Sequence, residues 1–178
     1  MEFRVDLSTV IAIAVVAAVV LVVRVLWVFR SIYRDMANKR TKPIKTLVVL
    51  GSGGHTTEML HLIQTLDPIR YTPLLYVVAT TDSTSERRVE ALGGRLPDTI
   101  LKIPRSREVG QSYVSSVGTT LYSLAFAVIL VLRIRPGLVL CNGPGTCLPI
   151  AMTALLFRIL GLCEGKIVFV ESFCRVTR

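Results

Sequence analysis

Residues Leu7–Val23 carry no charge and no proline, and this run limits what the chain can become more than any other feature. As a helix rising about 1.5 Å per residue it spans roughly 26 Å, slightly less than a ~30 Å hydrocarbon core. Leu26, Trp27, Val28 and Phe29 extend the apolar pattern. Arg24 can carry its guanidinium out to the interface, and Trp27 suits the headgroup level. A cleaved signal peptide would need a positive leader and a shorter apolar stretch. Here the leader holds Glu2, Arg4 and Asp6. The positive charge follows the run instead: Arg24, Arg30, Arg34, Lys39, Arg40, Lys42 and Lys45, against Asp35 alone. A retained anchor is expected, with its amino terminus outside or in a lumen and everything after Val23 in the cytosol.

The net charge of +9 is concentrated in this block: eight basic and three acidic residues up to Lys45 leave +5 there and +4 over the remainder. That remainder has no dense Lys/Arg patch interleaved with aromatics, so nucleic-acid binding is not expected. The basic block either meets anionic lipid headgroups or serves only as a topology determinant. The four cysteines, Cys141, Cys147, Cys163 and Cys174, form no Cys-x-x-Cys pair and match no zinc spacing with either histidine. In the cytosol they are expected to be reduced, buried structural thiols, the alternative being a reactive role for Cys141 or Cys147 near a candidate site loop.

Residues 1–30 are thus an anchor, residues 31–45 a basic linker ended by Pro43, and residues 46–178 one domain. Within it apolar strands alternate with helices. Strands are expected at Thr46–Leu50, Thr72–Ala79, Thr99–Ile103, Leu138–Cys141 and Ile167–Val170. Helices are expected at Thr57–Leu66, Ser83–Leu92, Gln111–Arg133 and Pro149–Leu162. Ser83 and Glu86 have the spacing of a capping box, and Pro136 stops the long helix. The alternation predicts an α/β, Rossmann-like fold: a parallel sheet with helices on its faces. The almost wholly apolar stretch Leu124–Leu132 is short for a span. It either packs on the sheet or also dips into the bilayer interface.

In such a sheet, ligands bind beyond the carboxyl ends of the strands. The loop Gly51-Ser52-Gly53-Gly54-His55-Thr56 lies there. Its glycines permit close backbone approach, and the helix that follows offers free amide hydrogens to an anion such as a diphosphate. No Gly-Lys-Ser/Thr follows, so it is not a P-loop. As a dinucleotide fingerprint it is poor, because Thr56 stands where Gly or Ala is needed, although Asp82 could serve as the ribose-binding acid. His55 is placed to bind a phosphate, to act as a base, or to cap the helix. Glu58, one turn on, either orients His55 or complements the helix dipole. His61 reads as structural. Asn142-Gly143-Pro144-Gly145-Thr146 repeats the pattern after the fourth strand. Arg105-Ser106-Arg107 brings two cations after the third, and Glu171-Ser172 closes the fifth.

Four blocks are similar, in order, to one family: Val49–Thr56, Ile103–Val109, Leu140–Cys147 and Val170–Ser172. It is the membrane-anchor subunit of the UDP-N-acetylglucosamine transferase of asparagine-linked glycosylation. The single-chain bacterial enzyme that makes the peptidoglycan lipid precursor is a more distant likeness. The resemblance implies the acceptor-side half of a two-domain GT-B glycosyltransferase, anchored in the endoplasmic reticulum by a single pass. A separate soluble catalytic subunit would bind the sugar nucleotide. The complex would add the second N-acetylglucosamine, β-1,4-linked, to dolichol diphosphate-linked N-acetylglucosamine. The acceptor diphosphate would rest on Gly51, Ser52, Gly53, Gly54, Thr56, Asn142, Gly143, Gly145 and Thr146, with Arg105 and Arg107 at hand. His55 is the first candidate base and Glu171 the second. No cofactor or metal is called for. The family pattern continues past Ser172, whereas this chain ends at Arg178. A shortened form is the expectation, with partner docking left open. Two other functions compete: a membrane-tethered nucleotide-binding protein of dehydrogenase type, and a truncated interaction protein without activity.

Overall fold

In a computed structural model of the chain, residues 6–37, 42–91, 97–107, 110–143 and 145–171 are described. They fall into two units that divide at residue 40. In the first, the apolar run folds into one helix, α1 (Leu7–Ala37). Residues Leu7–Ser31 of it are long and apolar enough to cross a membrane. The helix runs seven residues past Arg30, into the stretch read as linker, because neither Gly nor Pro interrupts the chain before Pro43. Arg24 lies over the Trp27 ring at 4.7 Å, a cation–π contact that suits a polar tip on an apolar helix.

The second unit is a five-stranded parallel sheet with helices on both faces. Its elements alternate as the sequence predicts: β1 (Thr46–Val49), α2 (Gly54–Gln64), β2 (Leu74–Ala79), α3 (Ser83–Ala91), β3 (Thr99–Ile103), α4 (Tyr113–Ile134), β4 (Leu138–Asn142), α5 (Cys147–Leu160) and β5 (Lys166–Val170). The strand order is β3-β2-β1-β4-β5, so the sheet grows outward from β1 in both directions. Thr46 is in register with Leu74 on one side and Leu138 on the other. Between β1 and β4 the order reverses, which is where such sheets open a crevice for ligands.

Strand periodicity divides the core. Val48, Leu50, Tyr76, Val78 and Leu140 point to α2 and α3, where they meet Met59, Ile63 and Val89. Leu47, Val49, Val77, Val139 and Cys141 point to the other face, against Ala127 and Val131 of α4 and Ile150, Ala154 and Phe157 of α5. Side chains so enclosed contribute about 1.5–3 kcal/mol each. Strands β1 and β4 are buried throughout, as central parallel strands must be.

Helices α2, α4 and α5 start away from the expected residues, α4 at Tyr113 and not Gln111, while α3 starts at Ser83 as expected but with a different cap. Helix α2 begins at Gly54, inside the glycine loop, and α5 begins at Cys147, with Pro149 tolerated in its first turn. At α3 the side chain that accepts from Ser85 N–H is that of Asp82 (3.0 Å), one residue before Ser83. Glu86 instead pairs with Lys102 on β3 at 2.8 Å.

The packing reading of Leu124–Leu132 holds on one side of α4. Ala127 and Val131 are fully buried on the sheet, while Phe126, Ile129 and Leu132 are exposed. With Val114, Val117, Leu121 and Tyr122 they form a stripe along the outer side of the helix. Leu148, Met152, Leu156 and Leu160 do the same on α5, at four-residue spacing.

Candidate functional site

The switch point between β1 and β4 brings the two glycine loops side by side, and the loop after β3 closes over them. Together they wall a cavity of about 570 Å³. Gly51, Ser52 and His55 come from the first loop, Arg105, Ser106 and Arg107 from the loop after β3, and Gly143, Gly145 and Thr146 from the loop after β4. Gly110, Thr120 and Leu148 complete the lining.

The loops touch at Gly51. A Cβ there would sit 2.4 Å from the carbonyl oxygen of Asn142, so only glycine lets the end of β1 pass this close to β4. Gly143 has φ +88°, and a Cβ on it would lie 3.1 Å from Cδ2 of His55. The imidazole therefore rests against bare backbone.

Thr56 turns inward. It is fully buried, and its hydroxyl donates to the carbonyl of Gly51. It lies 2.7 Å from Ser85 Oγ, which reaches Asp82 Oδ2 at 2.6 Å. This buried relay ties the glycine loop to α3, and the Arg88 guanidinium reinforces it by donating to the Gly53 carbonyl. The Asp82 carboxylate that a dinucleotide site would need is thus engaged in holding α3 and the loop.

The loop after β3 is held in the same manner. Ser106 Oγ donates to the Gly145 carbonyl at 2.5 Å, which fixes the cationic loop to the loop after β4. The Ser106 carbonyl accepts from Thr119 (2.8 Å) and Thr120 (3.2 Å), and the Pro104 carbonyl from Ser123 (2.9 Å). Arg107 donates to the Gln111 carbonyl at 3.2 Å. Two arginines, Arg105 and Arg107, thus line one cavity. At its edge α2 and α5 both start without a side-chain cap, and α2 has no acid in its first turn. Amide hydrogens at such ends favour an anion.

Asn142 is fully buried behind the cavity wall. Its Nδ2 donates to the His55 carbonyl at 3.3 Å and to Glu58 Oε2 at 3.2 Å. The same Glu58 oxygen lies 3.9 Å from His55 Nδ1. Cys141 and Cys147 flank this loop and are fully buried. The hydrogen bond with Cys147 and burial push the Cys141 thiol well above its ordinary range. The same hydrogen bond pulls the Cys147 thiol the other way, below its ordinary range.

Of the residues singled out from sequence, Gly51, Ser52, His55, Arg105, Arg107, Gly143, Gly145 and Thr146 line the cavity. Gly53, Gly54, Thr56, Asn142 and Glu171 are not in its lining. Thr56 and Asn142 fasten the loops from within. Glu171 is exposed at the end of the edge strand β5, one strand beyond β4. Pro144 and Ser172 lie outside the described residues. Ser106 and Thr120 were not foreseen as lining residues. The available signal was a set of hydroxyls, Thr119, Thr120 and Ser123, just ahead of the apolar stretch Leu124–Leu132.

Comparison with known proteins adds a lineage. The family model described as "Oligosaccharide biosynthesis protein Alg14 like" matches residues 46–178. A Mus musculus protein named "UDP-N-acetylglucosamine transferase subunit ALG14" is 50% identical over 144 residues, which are 75% of this chain and 66% of that protein. The Homo sapiens protein of the same name is 46% identical over 169 residues, covering 89% and 76% of the two chains. The Candida albicans protein is 37% identical over 174 residues, covering 94% and 80%. No solved structure matches the chain.

Proposed function

The chain belongs to the Alg14 family of oligosaccharide biosynthesis proteins, and on that premise we propose that it is the membrane-anchored, acceptor-binding subunit of a UDP-N-acetylglucosamine transferase. A soluble catalytic subunit supplies the sugar nucleotide, and this chain recruits it to the endoplasmic reticulum membrane. The relatives carry the name of a transferase subunit, which supports a partner of that kind. The acceptor is dolichol diphosphate-linked N-acetylglucosamine, and the product carries a second, β-1,4-linked N-acetylglucosamine.

One observation carries this reading: a cavity at the sheet's switch point holds two guanidinium groups, two glycine loops and one imidazole. Arg105, Arg107 and the amide hydrogens at the starts of α2 and α5 bind the diphosphate. His55 takes the proton from the attacking hydroxyl of the acceptor sugar. That oxygen then bonds to the anomeric carbon of the donor sugar, and UDP leaves with the electron pair of the broken bond. The lipid tail of the acceptor stays in the bilayer, where α1 anchors the chain. The apolar stripes of α4 and α5 lie against the same membrane surface.

The test is co-expression with the soluble subunit, followed by transfer from UDP-N-acetylglucosamine to a lipid-linked acceptor in the membrane fraction. The soluble subunit is expected to move to the membrane, and His55→Ala to lower kcat by about 100-fold or more. Full turnover by a folded His55→Ala chain would remove the base assignment. A soluble subunit left in the supernatant would remove the recruiting role.

A further inference from the structure

We propose that Glu58 is a positioning residue for His55: held in place by Asn142, it selects the imidazole tautomer that leaves Nε2 bare. The inference rests on the reading of His55 as the base. Its footing is a three-residue arrangement that joins two loops far apart in sequence. Asn142 Nδ2 has two hydrogens, and it donates to the His55 carbonyl and to Glu58 Oε2. One buried amide therefore fixes both the backbone of His55 and the carboxylate one turn along α2.

The amide also chooses which carboxylate oxygen faces the ring. Oε2, the oxygen that accepts from Asn142, is the one 3.9 Å from His55 Nδ1. The ring has little room to turn away, because its Cδ2 edge lies against Gly143, at 3.1 Å from where a Cβ would stand. A carboxylate on the Nδ1 side favours a proton on Nδ1, and an imidazole protonated there presents Nε2 as the acceptor. Such carboxylate–imidazole contacts are commonly long before substrate arrives and tighten in the working complex.

Glu58 does not line the cavity, whereas His55 does. Glu58 therefore acts on the reaction through His55 and not through the substrate. A carboxylate that only complemented the helix dipole would affect helix stability and leave the tautomer alone.

The experiment uses the full chain in lipid nanodiscs with ¹⁵N-labelled histidine. The chain has two histidines, His55 and His61, so His61→Asn assigns both signals. In its neutral form, wild-type His55 is expected to carry its proton on Nδ1. Glu58→Ala is expected to shift it toward the Nε2-protonated form. In the co-expressed complex the same change should lower kcat by about tenfold or more and leave the acceptor KM within about twofold. Glu58→Gln keeps an oxygen for Asn142 to hold at the Oε2 position, so it is expected to retain the tautomer and recover most of the turnover. An unchanged tautomer in Glu58→Ala overturns the proposal, and so does a loss confined to KM. The base reading fails separately, if His55→Ala turns over normally. The tautomer signal decides the role of Glu58 in either case.

Discussion

Single atoms decide how close the two glycine loops come. At Gly51 a Cβ would stand 2.4 Å from the Asn142 carbonyl oxygen, a separation that real Cβ contacts do not show. Gly51→Ala must push β1 and the β4 loop apart. We expect a loss of about 1–3 kcal/mol in stability, typical of an overpacked core, together with a fall in transfer activity. Urea denaturation and the co-expression assay measure the two effects. An alanine variant with wild-type midpoint and turnover would mean that the loops need not touch. At the same scale, Thr56 shows how residue type misleads. A hydroxyl in a glycine loop reads as a ligand group, yet its proton goes to the Gly51 carbonyl and its surroundings are fully buried. Sequence supplies the hydroxyl, but only the turn into α2 decides which way it points.

Among the elements, α4 has the most to do. Its inner side closes the core through Ala127 and Val131. Its polar positions Thr119, Thr120 and Ser123 hold the cationic loop. Its outer stripe, with Val117, Leu121 and Ile129 all more than half exposed, covers nothing among the described residues. An apolar stripe of this length, next to loops proposed here to hold a lipid-borne substrate, is suited to the membrane surface. Leu121→Glu together with Ile129→Glu should leave the fold intact, because both side chains already face outward. Turnover of a long-chain lipid-linked acceptor is expected to fall about tenfold, as lost interfacial burial predicts. A short-chain, water-soluble acceptor should be turned over at the unchanged rate. Equal effects on both acceptors would show that the stripe serves packing or a protein partner.

For the whole molecule, charge gives the expected orientation in a membrane. The basic residues from Arg24 to Lys45 follow the apolar run, and such flanks stay in the cytosol. An N-glycosylation acceptor tag placed before Met1 is expected to be glycosylated in sealed microsomes. The domain from residue 46 onward is expected to be digested by added protease in the same vesicles. Protection of the domain, or an unmodified tag, would reverse the topology and put the cavity on the wrong side for a cytosolic partner.

Much of this protein is already determined by sequence. The apolar N-terminal helix, the alternation of strands and helices, and the two glycine loops all rest on interactions between residues a few positions apart. Periods of 2 and 3.6, chain breakers and charge flanks report those interactions directly. What the sequence does not determine is which strand lies beside which. Placing β4 next to β1 brings Asn142 to His55 and Glu58, more than eighty residues away. The same packing turns Thr56 and Asp82 inward, fastens Ser106 to Gly145, and leaves Glu171 exposed at the sheet edge. The pairings of Asn142 with His55 and Glu58, of Thr56 with Ser85 and of Ser106 with Gly145 are long-range, selected by how two helix layers cover both faces of one twisted sheet. No local pattern encodes them, so the list of candidate residues came from the sequence and their division into cavity wall and hidden support came from the tertiary structure.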